Sequence, residues 1–393
     1  MTATEASSTT TTSSERIRSI DIVRGLVMVL MVLDHVRDHV SGSRADPTAA
    51  LHPEPVLFFM RWVTHFCAPT FIFLAGTSAY FYGKKASGAE LSRFLWTRGL
   101  WLVVLEVLIV RQGWTFSLSP RLGVVLQVIW VIGASMIVLA ALVRLPLRVV
   151  TAVGLSVVLL HNLLDGIDPK ALGAFGLWFR LLHVQGPMSV LGAPVLVVYP
   201  LVPWFAVMAL GFACGAVFDR PRPERARLLL RLGLGLCVAF VLLRGLNLYG
   251  EPHPWTASGS LGESWMKALA TTKYPPSLHY LAMTLGPLLC ALGLLERFPQ
   301  LEFPRLHVLG RVPLFLYVTH IYLAHALALL LGTLSGFSPA AFLAPFFQFP
   351  PGYGYGPASV LLVWVLVLVL LYPACRWYAR IKQTQRSAIL SYL

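Results

Sequence analysis

The sequence predicts an all-α polytopic membrane protein of about ten transmembrane helices, and three observations carry that expectation. Hydrophobic residues make up 57% of the chain and charged residues 12%, about half the charge of a soluble domain, and mean hydropathy is +0.72. The apolar residues are gathered into ten runs separated by short loops. The basic residues fall unequally on alternate loops. A chain of 393 residues could bury a large soluble core, but burial would not strip charge from its surface. A surface facing acyl chains needs none.

The runs lie near residues 20–40, 56–82, 92–110, 122–142, 147–164, 188–218, 228–249, 275–295, 308–332 and 357–379, each close to the roughly 20 residues that a crossing needs. The fifth is the shortest. The sixth is long and interrupted by Pro194, Pro200 and Pro203, so it is expected to enter, break and then cross. Ahead of the first run, residues 1–15, rich in Thr and Ser, read as a disordered tail; residues 16–393 read as one transmembrane domain. Arg16 and Arg18 lead into a run too long and too charged for a cleavable signal peptide.

Alternate loops differ in charge. With the N-terminus inside, inner segments hold nineteen Lys and Arg residues and outer segments seven, which predicts both termini in the cytoplasm of a multi-pass plasma (inner) membrane protein. The net charge of +14 is scattered over these loops; it is a topology signal, and no nucleic-acid partner is expected. Cys67, Cys214, Cys237, Cys290 and Cys375 lie in or beside apolar runs with no CxxC among them. Neither a disulfide framework nor a metal site is predicted. The bilayer is the one partner that composition implies, and whether copies join into a homo-oligomer is left open.

Charge inside a span costs roughly 2.5–3.5 kcal/mol per group at mid-bilayer, so each instance needs a reason. The first run carries Asp21, Arg24, Asp34, His35, Arg37 and Asp38. Eleven residues separate Arg24 from His35, so both project from one helix face about 16 Å apart. Asp21 stands three residues before Arg24, within reach of it. The second run contributes Arg61, His65 and Pro69, and the ninth begins at Gly310-Arg311 and carries Tyr317, His320 and His325. Counting from the span ends puts His35, His65 and His320 in the middle to outer part of the membrane. Neutral buried histidines can act there as bases, and they can equally serve as interhelical hydrogen-bonding glue. The prolines of Lys273-Tyr-Pro-Pro-Ser277 and Tyr199-Pro-Leu-Val-Pro203-Trp204 free backbone carbonyls, which membranes tolerate only against protein or a wet cavity. His161, His183, His253, His279 and His307 are expected in loops or at interfaces, and Cys67 as a buried inert thiol.

The segments RIRSIDIVRGLVMVLMVLDHVRD, FFMRWVTHFCAPTFIFLAGTSAYF, YPLVPWFAVMALGFACG, KYPPSL and GRVPLFLYVTHIYLAH resemble a bacterial family related to the heparan-α-glucosaminide N-acetyltransferase catalytic domain. That family lies within the transmembrane acyltransferase superfamily. The resemblance runs from about residue 16 to the C-terminus, and its most specific element is an Arg, ten residues and a His, here Arg24 and His35. It implies transfer of an acyl group, acetyl for preference, from cytoplasmic acetyl-CoA or another acyl-CoA to an extracytoplasmic carbohydrate acceptor. Arg24 and Arg311 would meet the anionic cofactor, and His35, His65 and His320 are the catalytic candidates. Members nearest the lysosomal enzyme carry Asn in place of His35 and a histidine in the following loop. His52 is therefore the alternative base, with His35 preferred. A transporter or flippase for an anionic or glycan-linked substrate would place Arg, His and broken helices in the membrane too. The charged motif at one end only, without a copy in the second half, favours the enzyme.

Overall fold

The computed structural model describes residues 17–385 except 44, 51, 120, 121 and 191. The expected tail, and Arg16, Arg44, Arg121 and Arg386 of the charge count, lie outside the described residues. Each of the ten apolar runs contains a helix: α1 Arg18–Val40, α2 Pro55–Gly83, α3 Gly88–Leu105, α4 Val128–Leu142, α5 Leu147–Leu160, α6 Leu201–Gly215, α7 Arg222–Leu246, α8 Leu278–Arg297, α9 Pro313–Leu334 and α10 Pro357–Thr384. Seven of these, α2 and α5 to α10, are long and apolar enough to cross a membrane by length and composition. Of the rest, α1 carries five charged residues in its interior, α3 holds Glu90, Arg93 and Arg98, and α4 has 15 residues. The chain is an all-α polytopic membrane protein.

Two runs depart from the expected helix. In the sixth, Met188–Val190 and Ala193–Val197 belong to strands, and the helix starts only after Pro200. Gly186–Val190 (β2) pairs antiparallel with Ala193–Val197 (β3), which pairs in parallel with Val124–Leu126 (β1). Three of the ten strand residues in β2 and β3 are valine, which suits strands better than helices. In the third run, α3 passes through a π turn at Glu106–Val110 into the short helix Arg111–Thr115. At the ninth, a helix Pro304–Arg311 stops at Val312, and α9 restarts with Pro313 in its first turn, where a missing N–H costs no helical bond.

α1 is the hub. It packs against α2, α8, α9, α10 and the Pro304–Arg311 helix, so its charged side chains face protein. Close approach explains how. Gly25 lies on the Leu306 main chain and Gly310 on that of Asp21, and a β-carbon at either would overlap the backbone. The same device joins α2 to α6, where Gly76 meets Met208 and Gly211 meets Phe73. Small residues let backbones approach, and dispersion holds helices together where lipid is as apolar as they are. Within α2, Pro69 cannot bond the carbonyl four residues back, that of His65. The Tyr280 hydroxyl of α8 donates to it at 2.6 Å, so the freed carbonyl is satisfied by protein.

Gly211→Leu is expected to drive α2 and α6 apart, at a cost above the about 1–3 kcal/mol typical of overpacking. Thermal melting of the detergent-purified variant should show a lower midpoint; an unchanged midpoint would contradict the close crossing.

Candidate active site

Two cavities approach each other along one face of α1. The first, about 350 Å³, is lined by Arg24, Arg98, Arg311 and Lys382 and by apolar side chains including Met28, Leu102, Met136 and Leu314. Four cations around an apolar shaft suit an anionic head on a long thin arm. Arg24 donates to Asp21 at 3.1 Å and to the Ser78 hydroxyl at 2.9 Å, so a carboxylate and a hydroxyl aim its guanidinium. Tyr82 and Phe94, also in the lining, stack with ring centroids 4.0 Å apart.

The second cavity, about 250 Å³, lies further along α1 and is lined by Asp34, His35, Arg37, Asp38, Asp46, Arg61, Glu106 and Arg111, with Trp114, Tyr199, Tyr274 and Phe346. Its charges are mostly matched. Arg61 Nη1 bonds both oxygens of Asp34, at 2.6 and 2.7 Å, and its Nε reaches Asp46 at 3.3 Å. Arg37 bonds Asp38 at 2.6 Å. Burial opposes ionisation of Asp46 in the loop after α1, but the Arg61 guanidinium and the Thr48 hydrogen bonds outweigh it and hold the carboxyl below the usual carboxylate range. Arg111 donates to the carbonyls of Gly123, Ser117 and Ser119.

A pair of histidines meets at the wall of the second cavity, where His35 is part of the lining. His35 of α1 and His320 of α9 stack with centroids 4.9 Å apart and planes at 9°, and His35 Nδ1 lies 2.6 Å from His320 Nε2. His320 Nδ1 lies 2.7 Å from the Leu316 carbonyl. A carbonyl only accepts, so His320 Nδ1 carries the hydrogen and, in the neutral ring, Nε2 accepts. His35 must then donate from Nδ1, which leaves its Nε2 with a free lone pair. Trp114 meets the His35 ring edge-on at 4.9 Å and Tyr317 at 5.9 Å. An imidazole fixed in this tautomer at a cavity wall is equipped to take a proton from a bound hydroxyl or amine.

The predicted residues divide accordingly. Arg24 and Arg311 share the cationic cavity, and His35 and His320 touch. His65 stands apart: it is buried against Tyr280 at 5.5 Å and lines neither cavity. It sits in the 3-10 turn Val63–Phe66 of α2, against Tyr280 of α8. His52 is on the surface, its side chain 88% exposed and bonded to Glu263 at 2.9 Å. Cys67 is buried with its thiol on the Val27 carbonyl. His161, His183 and His279, expected in loops or at interfaces, are buried, bonded to the Pro276 carbonyl, Asp165 and the Tyr249 carbonyl respectively.

Glu106 was not singled out by the sequence. It is buried at the π turn, lines the second cavity and accepts the Trp130 N–H at 2.9 Å. A lone carboxylate in the middle of the apolar run LWLVVLEVLIV was the available signal.

The chain is thus a polytopic membrane bundle that holds a cationic cavity and, beside it, a polar one walled by a half-buried histidine in contact with a buried one. A family model described as heparan-alpha-glucosaminide N-acetyltransferase, catalytic, matches residues 16–246. That is more than half of the chain, and the chain belongs to this family, which is of the membrane acetyltransferase type. The match holds Arg24, His35 and His65 and ends before Arg311 and His320, so it is narrower than the resemblance read from the motifs. No curated protein matches the sequence.

Asp34→Asn should leave Arg61 without its main buried partner and cost about 3–5 kcal/mol. Asp34→Asn combined with Arg61→Gln should melt higher than Asp34→Asn alone in detergent. Equal midpoints for wild type and Asp34→Asn would refute this coupling.

Proposed function

We propose that the protein transfers an acyl group, acetyl for preference, from cytoplasmic acyl-CoA to a hydroxyl or amine of an extracytoplasmic carbohydrate. The observation that carries this reading is the meeting of the two cavities at Val128, with Tyr317 lining the first and His35 the second, their rings 5.9 Å apart. The cationic cavity takes the donor: Arg24, Arg98, Arg311 and Lys382 meet the phosphates, and the pantetheine arm follows the apolar shaft toward Tyr317. The aromatic-lined cavity beyond His35 takes the acceptor. The excess of basic residues on inner segments supports an orientation with both termini, and the cationic cavity, on the cytoplasmic side of a plasma membrane.

In the reaction, His35 Nε2 removes the proton of the acceptor hydroxyl or amine as that atom attacks the thioester carbonyl. His320 accepts a hydrogen bond from His35 Nδ1 and steadies the imidazolium that forms. The Trp114 indole N–H and the Tyr317 hydroxyl are the donors flanking His35 for the oxyanion. Collapse breaks the C–S bond, and the departing thiolate takes the proton from His35 Nε2, leaving CoA, the acylated acceptor and a neutral base. Arg24 and Arg311 hold the donor and take no part in proton transfer.

With labelled acetyl-CoA and a panel of glycans, the wild type should transfer label. His35→Ala should lose transfer by a factor on the order of 100 to 10,000 while still binding CoA, and His52→Ala should be mild. Severe loss in His52→Ala with near-normal His35→Ala would move the base to the loop. Solute movement across proteoliposomes without any acyl transfer would replace the enzyme by a transporter.

Orientation has its own test. Single cysteines at Ser87 and Ser260, in a background lacking the native five, should react with an impermeant thiol reagent from opposite sides. Labelling from one side would reject the topology.

A further inference from the structure

The barrier between the two cavities is the start of α4. Gln127 lines the polar cavity, Ile129 lines the cationic one, and Val128 between them lines both. Across from it, Tyr317 faces the cationic cavity and His35 the polar one, with their rings 5.9 Å apart. A donor thioester held in the shaft and an acceptor held beyond His35 can meet only where these walls meet. The acyl substituent must then rest close to the Val128 side chain.

This part of the wall is held from several directions. Glu106, from the π turn of α3, accepts the Trp130 N–H, and the Trp130 indole donates to the Tyr199 carbonyl at 3.3 Å. β1, which ends at Leu126, pairs with β3, and the Leu126 carbonyl accepts from Val198 and Tyr199 at 3.1 and 3.2 Å. Lower on the same helix Gly133 lies directly on Gly99 of α3, leaving no room for either backbone to retreat. A wall that cannot shift discriminates by size, because a longer chain has to displace main chain and not a mobile side chain.

We propose that Val128 is the specificity-determining residue for the acyl donor, admitting acetyl or a similarly short group and excluding longer chains. This inference rests on the proposed acyl transfer. It predicts that Val128→Ala raises kcat/KM for butyryl-CoA relative to acetyl-CoA by about tenfold or more, since a methylene's worth of space in a fitted pocket is worth 10- to 200-fold. Val128→Phe should lower acetyl transfer by a similar factor while binding free CoA, measured by calorimetry, within about twofold of wild type. Ile129→Ala, which alters only the cationic cavity, should leave the acyl preference unchanged. If Val128→Phe fails to fold, the Val128→Ala ratio decides. An unchanged ratio in Val128→Ala, or an equal change in Ile129→Ala, overturns the assignment to Val128 while wild-type acetyl transfer keeps the proposed function standing. A wild type that transfers no acyl group removes the reading beneath both.

Discussion

Asp34 and Arg61 bring two full charges together where water is scarce, and much of the site is arranged around the need to keep them matched. A buried ion costs several kcal/mol to desolvate unless geometry and further hydrogen bonds repay it. Here one guanidinium nitrogen reaches both carboxylate oxygens, and Asp46 adds a third contact from the loop. The pair fixes α1 to α2 one residue before His35. It therefore sets the rotation of α1 at the point where His35 must face α9. Arg37 and Asp38 extend the network by another turn. The imidazole pair is itself uncharged in the resting tautomer, so it can sit beside this network without adding to its electrostatic cost.

The charge distribution gives the bundle a direction. Four cations crowd one cavity, and acids matched by arginines line the other. Under the proposed reaction, a polyanionic donor would be attracted to the first and would find no comparable attraction in the second. The proposed acceptor, uncharged and hydroxylated, would need only hydrogen-bonding groups and ring faces, which line the second. Arg24 and Met28 in the lining of the first cavity and His35 in that of the second share one face of α1, and the spacing of those residues is the helical repeat itself.

That face was legible in the sequence because helix geometry alone fixes it: an eleven-residue interval returns to the same side whatever the neighbours do. The ten helical runs were legible for a similar reason, since apolar length is a one-dimensional property. Pairing across the fold was not. Nothing in the spacing of His65 and His320 says which of them meets His35. The answer depends on the packing of the 3-10 turn that carries His65 against Tyr280 and on the restart of α9 after Val312. The strands Gly186–Val190 and Ala193–Val197 are not legible in the sequence because an apolar run bounded by prolines looks the same whether it enters lipid or pairs with β1. Glu106 breaks the apolar pattern, but a single carboxylate in a run does not say which backbone it will meet. Its role depends on the N-terminus of α4, which is far from it in sequence.

The π turn that carries Glu106 inserts, in effect, one extra residue into α3. Every side chain after it is rotated by about 100° from where an uninterrupted α-helix would carry it. Arg111 and Trp114 face the polar cavity in this register. Closing the turn would swing both toward other neighbours, although no charge or apolar residue need be lost. In this stretch the chain's length is thus as much a part of the site as its composition. Homologues with a one-residue deletion between residues 100 and 111 would be expected to have rebuilt this wall with different side chains, while substitutions along the same stretch would be tolerated more readily.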